Sequence, residues 1–110
     1  MSTTVLDVTD ATFDEEMVAA ASPVVVEFSA EWCPPCRAMA PVLDDLAAEY
    51  DGSLRFVRVD SDAHPDLARR YDVVSVPTFL VMAGGELRHR MVGARSRGRF
   101  RAEIEAALSR

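Results

Sequence analysis

An apolar run, PVVVEFSA, occupies residues 23–30 and is interrupted only by Glu27 and Ser29. A strand with one solvated face alternates apolar and polar side chains, whereas a nearly continuous apolar run is typical of a strand covered on both faces. Such a strand lies inside a sheet that carries helices on its two sides. We therefore expect an α/β fold with residues 23–30 near the centre of its sheet.

The residue periodicity changes several times on either side of this run. Thr12 and Glu15 have the spacing of a capping box at a helix start, and Gly84-Gly85 has the composition of a hairpin turn. The order βαβαβ followed by ββα predicts a mixed central sheet flanked by helices on both faces, in a single domain that spans 1–110. The predicted elements are strands at 3–8, 23–30, 54–60, 78–83 and 86–92, and helices that begin near 12, 34, 65 and 96, the second ending at Tyr50.

Composition and charge exclude several classes of protein. The formal net charge of −6 argues against nucleic acid as the main partner. No apolar run approaches the roughly 18 residues of a membrane span, and the N-terminal residues lack a secretory pattern, so we expect a cytoplasmic protein. The charge is uneven, since residues 81–110 carry 7 Arg against 3 acidic residues. We expect these arginines to form a solvated strand and helix face rather than a docking patch.

The two cysteines of the chain, Cys33 and Cys36, stand two residues apart in EWCPPC, between the apolar strand and the long helix. A structural disulfide across so short a loop would contribute little stability. A zinc site needs about four ligands, and only His64 and His89 are further candidates of the usual kind. In a redox dithiol, the free N–H groups and dipole of the helix N-terminus stabilise the thiolate of the first cysteine. We favour the redox dithiol among these three interpretations.

The segment VEFSAEWCPPCRAMAPVL resembles the active-site segment of thioredoxins, which usually reads Trp-Cys-Gly-Pro-Cys. SVPTFLVMAGGEL and MVGARS resemble later segments of that family in order and spacing, so the resemblance covers essentially the whole chain. It implies a thioredoxin fold and a protein dithiol–disulfide oxidoreductase that is itself reduced by an NADPH- or ferredoxin-linked thioredoxin reductase. It also implies disulfide-containing client proteins, a monomer and no bound cofactor or metal.

The resemblance assigns roles to four residues around the dithiol. Cys33, exposed at the helix start, is the expected nucleophile, and Cys36 resolves the mixed disulfide. Pro77 corresponds to the family's cis-proline, although a lone X-Pro bond is normally trans. The backbone of Val76 would then pair with an extended substrate segment.

Three more residues fall where the family builds the rim of its substrate groove: Trp32, Gly93 and Ala94. Pro34, between the cysteines, is also expected to bind the substrate. A single tryptophan is more often part of a core than of a rim, so its assignment rests on the resemblance.

Glu27 corresponds to the family's buried aspartate, which helps to deprotonate the resolving cysteine. A carboxylate is costly to bury in ionised form, so we expect a raised pKa and a catalytic role in proton exchange. The alternative is a strand glutamate that reaches solvent or an arginine. Arg58 stands where the family usually has a lysine near this acid, and it can act only as a fixed charge.

The sequence departs from the family pattern at two positions near the dithiol. Ser29 replaces a tryptophan that usually packs behind the active site, so the packing there must differ. Pro34 replaces the usual glycine and removes a backbone N–H from the helix start. Two alternative functions remain open: a more oxidising thiol-disulfide oxidase or isomerase, and a redox-independent binding subunit.

Overall fold

The computed structural model describes residues 5–109. Strands and helices alternate along the first two thirds of the chain, and a β-hairpin and a final helix follow. In chain order the elements are β1 (Leu6–Val8), α1 (Phe13–Ala19), β2 (Val24–Ser29), α2 (Pro34–Glu49), β3 (Arg55–Asp60), α3 (Pro65–Arg70), β4 (Thr78–Ala83), β5 (Glu86–Val92) and α4 (Arg97–Leu108).

The five strands form one sheet in the order β1-β3-β2-β4-β5. β1 and β2 both run parallel to β3, whereas β4 runs antiparallel to β2 and to β5. The mixed sheet that the sequence predicts is therefore confirmed. β2 lies at its centre, and all six of its residues are buried, as expected from the apolar run.

Two apolar cores cover the two faces of this sheet. On one face, α2 and α4 contribute Met39, Leu43, Phe100 and Ile104 to a core that also contains Phe79 of β4. On the other face, residues of α1 and α3 pack against alternate residues of β2 and β3. The apolar residues of each helix recur at helical spacing, so they lie on the helix face that packs against the sheet. The predicted arrangement of helices on both faces of the sheet is confirmed.

The hairpin turn is confirmed, because Gly84 and Gly85 have φ angles of +60° and +79°, which glycine adopts without strain. The capping box is wrong. Thr12 is the N-cap of α1 but makes no side-chain capping bond, because its Oγ1 instead accepts the backbone N–H of Thr9 at 2.9 Å.

Residues 3 and 4 of the predicted first strand lie outside the described residues. None of the helices within residues 5–109 combines the length and the apolar character that a membrane crossing requires.

Candidate active site

The two cysteines lie at the junction of β2 and α2, where they form a disulfide with their Cα atoms 5.2 Å apart. Cys33 is the N-cap of α2, and its Sγ accepts the backbone N–H of Cys36 at 3.2 Å. Pro34 and Pro35 occupy the first turn of the helix and carry no N–H. Cys36 therefore supplies the first backbone donor of the helix to the Cys33 sulfur.

Both cysteines are buried, and the expectation that Cys33 is exposed is wrong. Cys33 is 2% exposed and Cys36 is 6% exposed. The two cysteines form a small apolar cluster with Ala30, and Val76 packs against it. The carbonyl oxygen of Val76 lies 3.8 Å from Cys33 Sγ, so the loop before β4 shields this sulfur from solvent.

That loop contains the cis peptide bond Val76-Pro77, as the resemblance implied. The backbone N–H of Gly93 donates to the carbonyl of Pro77 at 2.8 Å. Gly93 is half-buried and Ala94 is exposed. The fold therefore brings Gly93 to Pro77, whose neighbour Val76 packs against Cys33.

Trp32 directly precedes Cys33 in the chain, and 65% of its surface is exposed. Its Nε1–H donates to Asp62 Oδ2 at 2.6 Å. Asp62 was not predicted as a site residue, although the sequence carries a signal for it. Asp62 follows β3 as Trp32 follows β2, and the carboxyl ends of neighbouring parallel strands meet at one edge of a sheet.

Arg95 was also missed, and it anchors the loop that joins β5 to α4. Its guanidinium donates to the backbone carbonyls of Val92 at 2.7 Å and Gly93 at 3.4 Å, and to the carboxylate of Glu103 in α4. The side chain of Arg95 is only 9% exposed. An arginine in a basic run looks like a solvated charge in the sequence, so its inward contacts could not be read from the sequence.

Glu27 projects from β2 and is 1% exposed. Its Oε1 accepts the Nε–H of Arg58 at 2.8 Å, while its Oε2 has no hydrogen-bond partner among residues 5–109. Burial raises the pKa of Glu27 above its usual value, although the hydrogen bond and charge of Arg58 act in the opposite direction. The predicted burial of Glu27 is confirmed. Of the two contacts in the alternative, Glu27 reaches an arginine, Arg58, and does not reach solvent.

A cavity of about 380 Å³ lies behind Cys36, under the first turns of α2. Ser29, at the end of β2, lines it. The other lining residues are Asp7, Val8, Thr9, Ala30, Glu31, Cys36, Arg37, Ala40, Arg58, Asp60 and His64.

The two histidines make contacts with acidic side chains. His64 Nδ1 lies 3.2 Å from an oxygen of Asp10, and His89 Nε2 lies 3.0 Å from an oxygen of Glu103. Within residues 5–109, no group of three or more His, Cys, Asp or Glu side chains could hold a metal ion.

Arginines of the basic segment connect α4 to α2. Arg97 forms an ion pair with Asp45, and Arg101 pairs with Glu49. These pairs are typical of solvated helix faces that carry complementary charges.

Comparisons with known proteins agree with this geometry. The thioredoxin family model matches residues 4–106. The chain is 42% identical over 87 residues to Thioredoxin 1 of a Nostoc species, covering 79% of this chain and 81% of that protein. It is 37% identical over 108 residues to the thioredoxin of Pseudomonas aeruginosa, covering 98% and 100%.

A third relative is the bifunctional thioredoxin reductase/thioredoxin of Mycobacterium leprae. It is 40% identical over 92 residues, which are 84% of this chain and 20% of that protein. The match to thioredoxins, together with the Cys33–Cys36 disulfide, shows that this chain is a protein dithiol–disulfide oxidoreductase, which reduces disulfides in client proteins. Fold, disulfide and relatives together show that the chain belongs to the thioredoxin family.

Proposed function

We propose that Cys33 is the attacking thiol of this oxidoreductase and that Cys36 is the resolving thiol. The observation that carries this assignment is the N–H of Cys36, which points at Cys33 Sγ from 3.2 Å. A hydrogen bond from a backbone N–H is stronger when its acceptor is charged. This bond and the positive end of the α2 dipole therefore favour the thiolate of Cys33.

The reaction then proceeds by two exchanges. The Cys33 thiolate attacks one sulfur of the client disulfide, and the other client sulfur leaves as a thiolate and takes up a proton. The Cys36 thiol loses its proton and attacks Cys33 Sγ, which releases the second client sulfur. Two electrons pass to the client, and the protein is left with the Cys33–Cys36 disulfide.

The client segment lies, in this proposal, across Trp32, Pro34, Val76, Gly93 and Ala94. Trp32 offers an exposed aromatic surface whose orientation is held by its hydrogen bond to Asp62. The Val76 backbone lies next to the Cys33 sulfur, so an extended segment paired with it would present its own sulfur to Cys33. Pro77 is assigned the role of holding this backbone in position, which the hydrogen bond from Gly93 supports.

Glu27 is the proposed proton acceptor for Cys36. Its raised pKa suits exchange nearer to neutral pH than an ordinary carboxyl allows. Its partner Arg58 lines the same cavity as Cys36. Solvent in that cavity would carry the proton between Cys36 and the carboxyl.

The partners and the cellular setting are proposed by analogy with the family. A thioredoxin reductase would return the disulfide to the dithiol, and the fused reductase of the Mycobacterium leprae relative supports such a partner. We propose that the chain acts as a monomeric single domain in the cytoplasm, with the cysteine pair as its only redox group.

Single-cysteine variants test the roles of the two thiols. We expect Cys36→Ser to retain client proteins through a stable mixed disulfide at Cys33, which dithiothreitol releases. Cys33→Ser is the matched control and should retain none, since the remaining thiol lacks the N–H contact. Retention by Cys33→Ser and not by Cys36→Ser would reverse the assignment. Both variants should lose insulin reduction, because each lacks one half of the disulfide.

A further inference from the structure

The cavity behind Cys36 approaches the disulfide from a different side than the client groove. Its walls come from β1, β3, the end of β2 and the first turns of α2, with Cys36 among them. Cys33, in contrast, lies against Val76 in the loop before β4. Because the sheet order is β1-β3-β2-β4-β5, these two approaches lie on opposite sides of β2. A molecule in the cavity would therefore contact Cys36 and not Cys33.

The two sulfurs also differ as leaving groups. An attack on Cys36 expels Cys33 as a thiolate, which the Cys36 N–H and the α2 N-terminus stabilise. An attack on Cys33 expels Cys36, which lies one turn inside the helix. Thiol–disulfide exchange is faster when the leaving thiolate is the more stable one. The chemistry therefore favours an attack from the cavity side.

Size and charge define the molecule that the cavity could admit. At about 380 Å³ it lies at the small end of ligand pockets, so it admits a small molecule but not a protein segment. Its charged walls carry the carboxylates of Asp7, Glu31 and Asp60 against the guanidiniums of Arg37 and Arg58. Arg58 is already paired with Glu27. An uncharged thiol fits this lining better than one that carries a carboxylate.

We propose that the cavity is a second route to the disulfide, through which a small uncharged thiol reduces Cys33–Cys36 by attack on Cys36. The small thiolate forms a bond to Cys36 Sγ, the Cys33–Cys36 bond breaks, and Cys33 leaves as a thiolate. A second small thiolate then attacks the sulfur of the first, which gives a small-molecule disulfide and frees Cys36. Two small thiols are oxidised and one protein disulfide is reduced, with protons from the thiols passing to the two cysteines.

This inference rests on the reversible disulfide but not on the client groove. Ser29 and Ala40 line the cavity from the sheet and from α2, so Ser29→Leu and Ala40→Leu should each narrow it. The measurement is the rate at which a lone cysteine reacts with the disulfide of mercaptoethanol, followed by mass spectrometry. This is the reverse of the proposed second exchange, and it requires the same access of a small molecule to Cys36. Each filling substitution is made in Cys33→Ser, which keeps Cys36, and in Cys36→Ser, which keeps Cys33.

Each filling substitution should slow the reaction of Cys36 at least about tenfold and that of Cys33 less than about twofold. Dithiodipropionate, which carries carboxylates, should react with Cys36 more slowly than the mercaptoethanol disulfide does, relative to their rates with Cys33. The proposal would be overturned if the reaction rate of Cys36 were unchanged in both filling variants. It would also be overturned if the filling substitutions lowered the rates of Cys33 and Cys36 equally. Neither result would affect the capture of client proteins by Cys36→Ser. A failure of this proposal can therefore be distinguished from a failure of the roles proposed for Cys33 and Cys36.

Discussion

Glu27 is the only acidic side chain that is fully buried among residues 5–109. Since burial raises its pKa, the folded protein holds this proton more tightly than the unfolded chain does. The stability that the protonated carboxyl contributes is present below the unfolded pKa of about 4.3 and is lost as the pH rises through the folded pKa. Ionised Glu27 therefore costs stability at neutral pH, which Arg58 offsets in part.

We expect Glu27→Gln to become more stable relative to the wild type as the pH rises from about 4 to about 8. Glutamine resembles the protonated carboxyl at every pH, and Arg58, with 29% of its side chain exposed, can reach solvent when the pair is lost. Urea unfolding of both proteins across this range measures the difference in free energy. A difference that stays constant with pH would contradict the raised pKa.

The same substitution should slow insulin reduction, because Cys36 loses its proposed proton acceptor. We expect the loss in rate to be about 10²-fold or more at pH 7, the scale of general acid–base catalysis. A variant with wild-type rates at every pH would restrict Glu27 to a structural role.

Pro34 is the first residue of α2 and leaves the helix start beside Cys33 without one backbone N–H. Pro34→Gly restores that N–H and should stabilise the dithiol form, which makes the protein less reducing. A hydrogen bond to a charged group contributes about 1.5–3 kcal/mol, which limits the shift to about 65 mV. Equilibration with glutathione measures it, and Pro41→Ala, further along α2, is the control. A shift to a more negative potential would show that backbone stiffness outweighs the lost donor.

The loop between β5 and α4 is held in place by Arg95. This side chain joins the carbonyls of Val92 and Gly93 to Glu103 on α4. The hydrogen bond from His89 and those from Arg95 hold the pKa of Glu103 below its usual value. Because Gly93 also donates to Pro77, the position of the groove wall depends on this anchor.

We expect Arg95→Ala to raise the KM for insulin reduction about five- to tenfold, the effect of roughly 1–1.4 kcal/mol, with a smaller change in kcat. Arg99→Ala is the matched control, since Arg99 also contacts Glu103 but lies mostly in solvent. Arg95→Lys should restore part of the affinity. Equal effects of Arg95→Ala and Arg99→Ala would argue against a positioning role.

Elements with a clear period were predictable from the sequence. Residues 78–83 and 86–92 are the strands expected, because the apolar pattern and Gly84-Gly85 both point to a hairpin. The prediction of a capping box was wrong because the Thr12 hydroxyl accepts the backbone N–H of Thr9. The spacing of Thr12 and Glu15 does not reveal this competing hydrogen bond. The burial of Cys33 depends on Val76, which is distant in sequence.

The two cores cover the sheet on both faces, so the site is supported by buried side chains of distant elements. Phe79 of β4 and Phe100 of α4 stack edge to face with their ring centroids 4.8 Å apart, and both are fully buried. This contact joins the strand that follows Pro77 to the last helix. The geometry of the groove therefore depends on packing across the whole domain.

We expect Phe79→Ala to lower the free energy of unfolding by about 3–5 kcal/mol, because it leaves a cavity in the core under α2 and α4. Leu87→Ala on the exposed part of β5 should change it by about 0.5 kcal/mol or less. Urea titration of both variants makes the comparison. Similar losses in the two would contradict the proposed packing.

This dithiol donates electrons to protein disulfides. The reduction potential of the Cys33–Cys36 pair in the wild-type chain, measured by equilibration with reduced and oxidised glutathione, tests this. Thioredoxins have reduction potentials of about −270 mV. We expect this chain to have a potential below about −230 mV, as a reductant does. A potential of about −180 mV, in the range of disulfide isomerases, would contradict the role of a reductant.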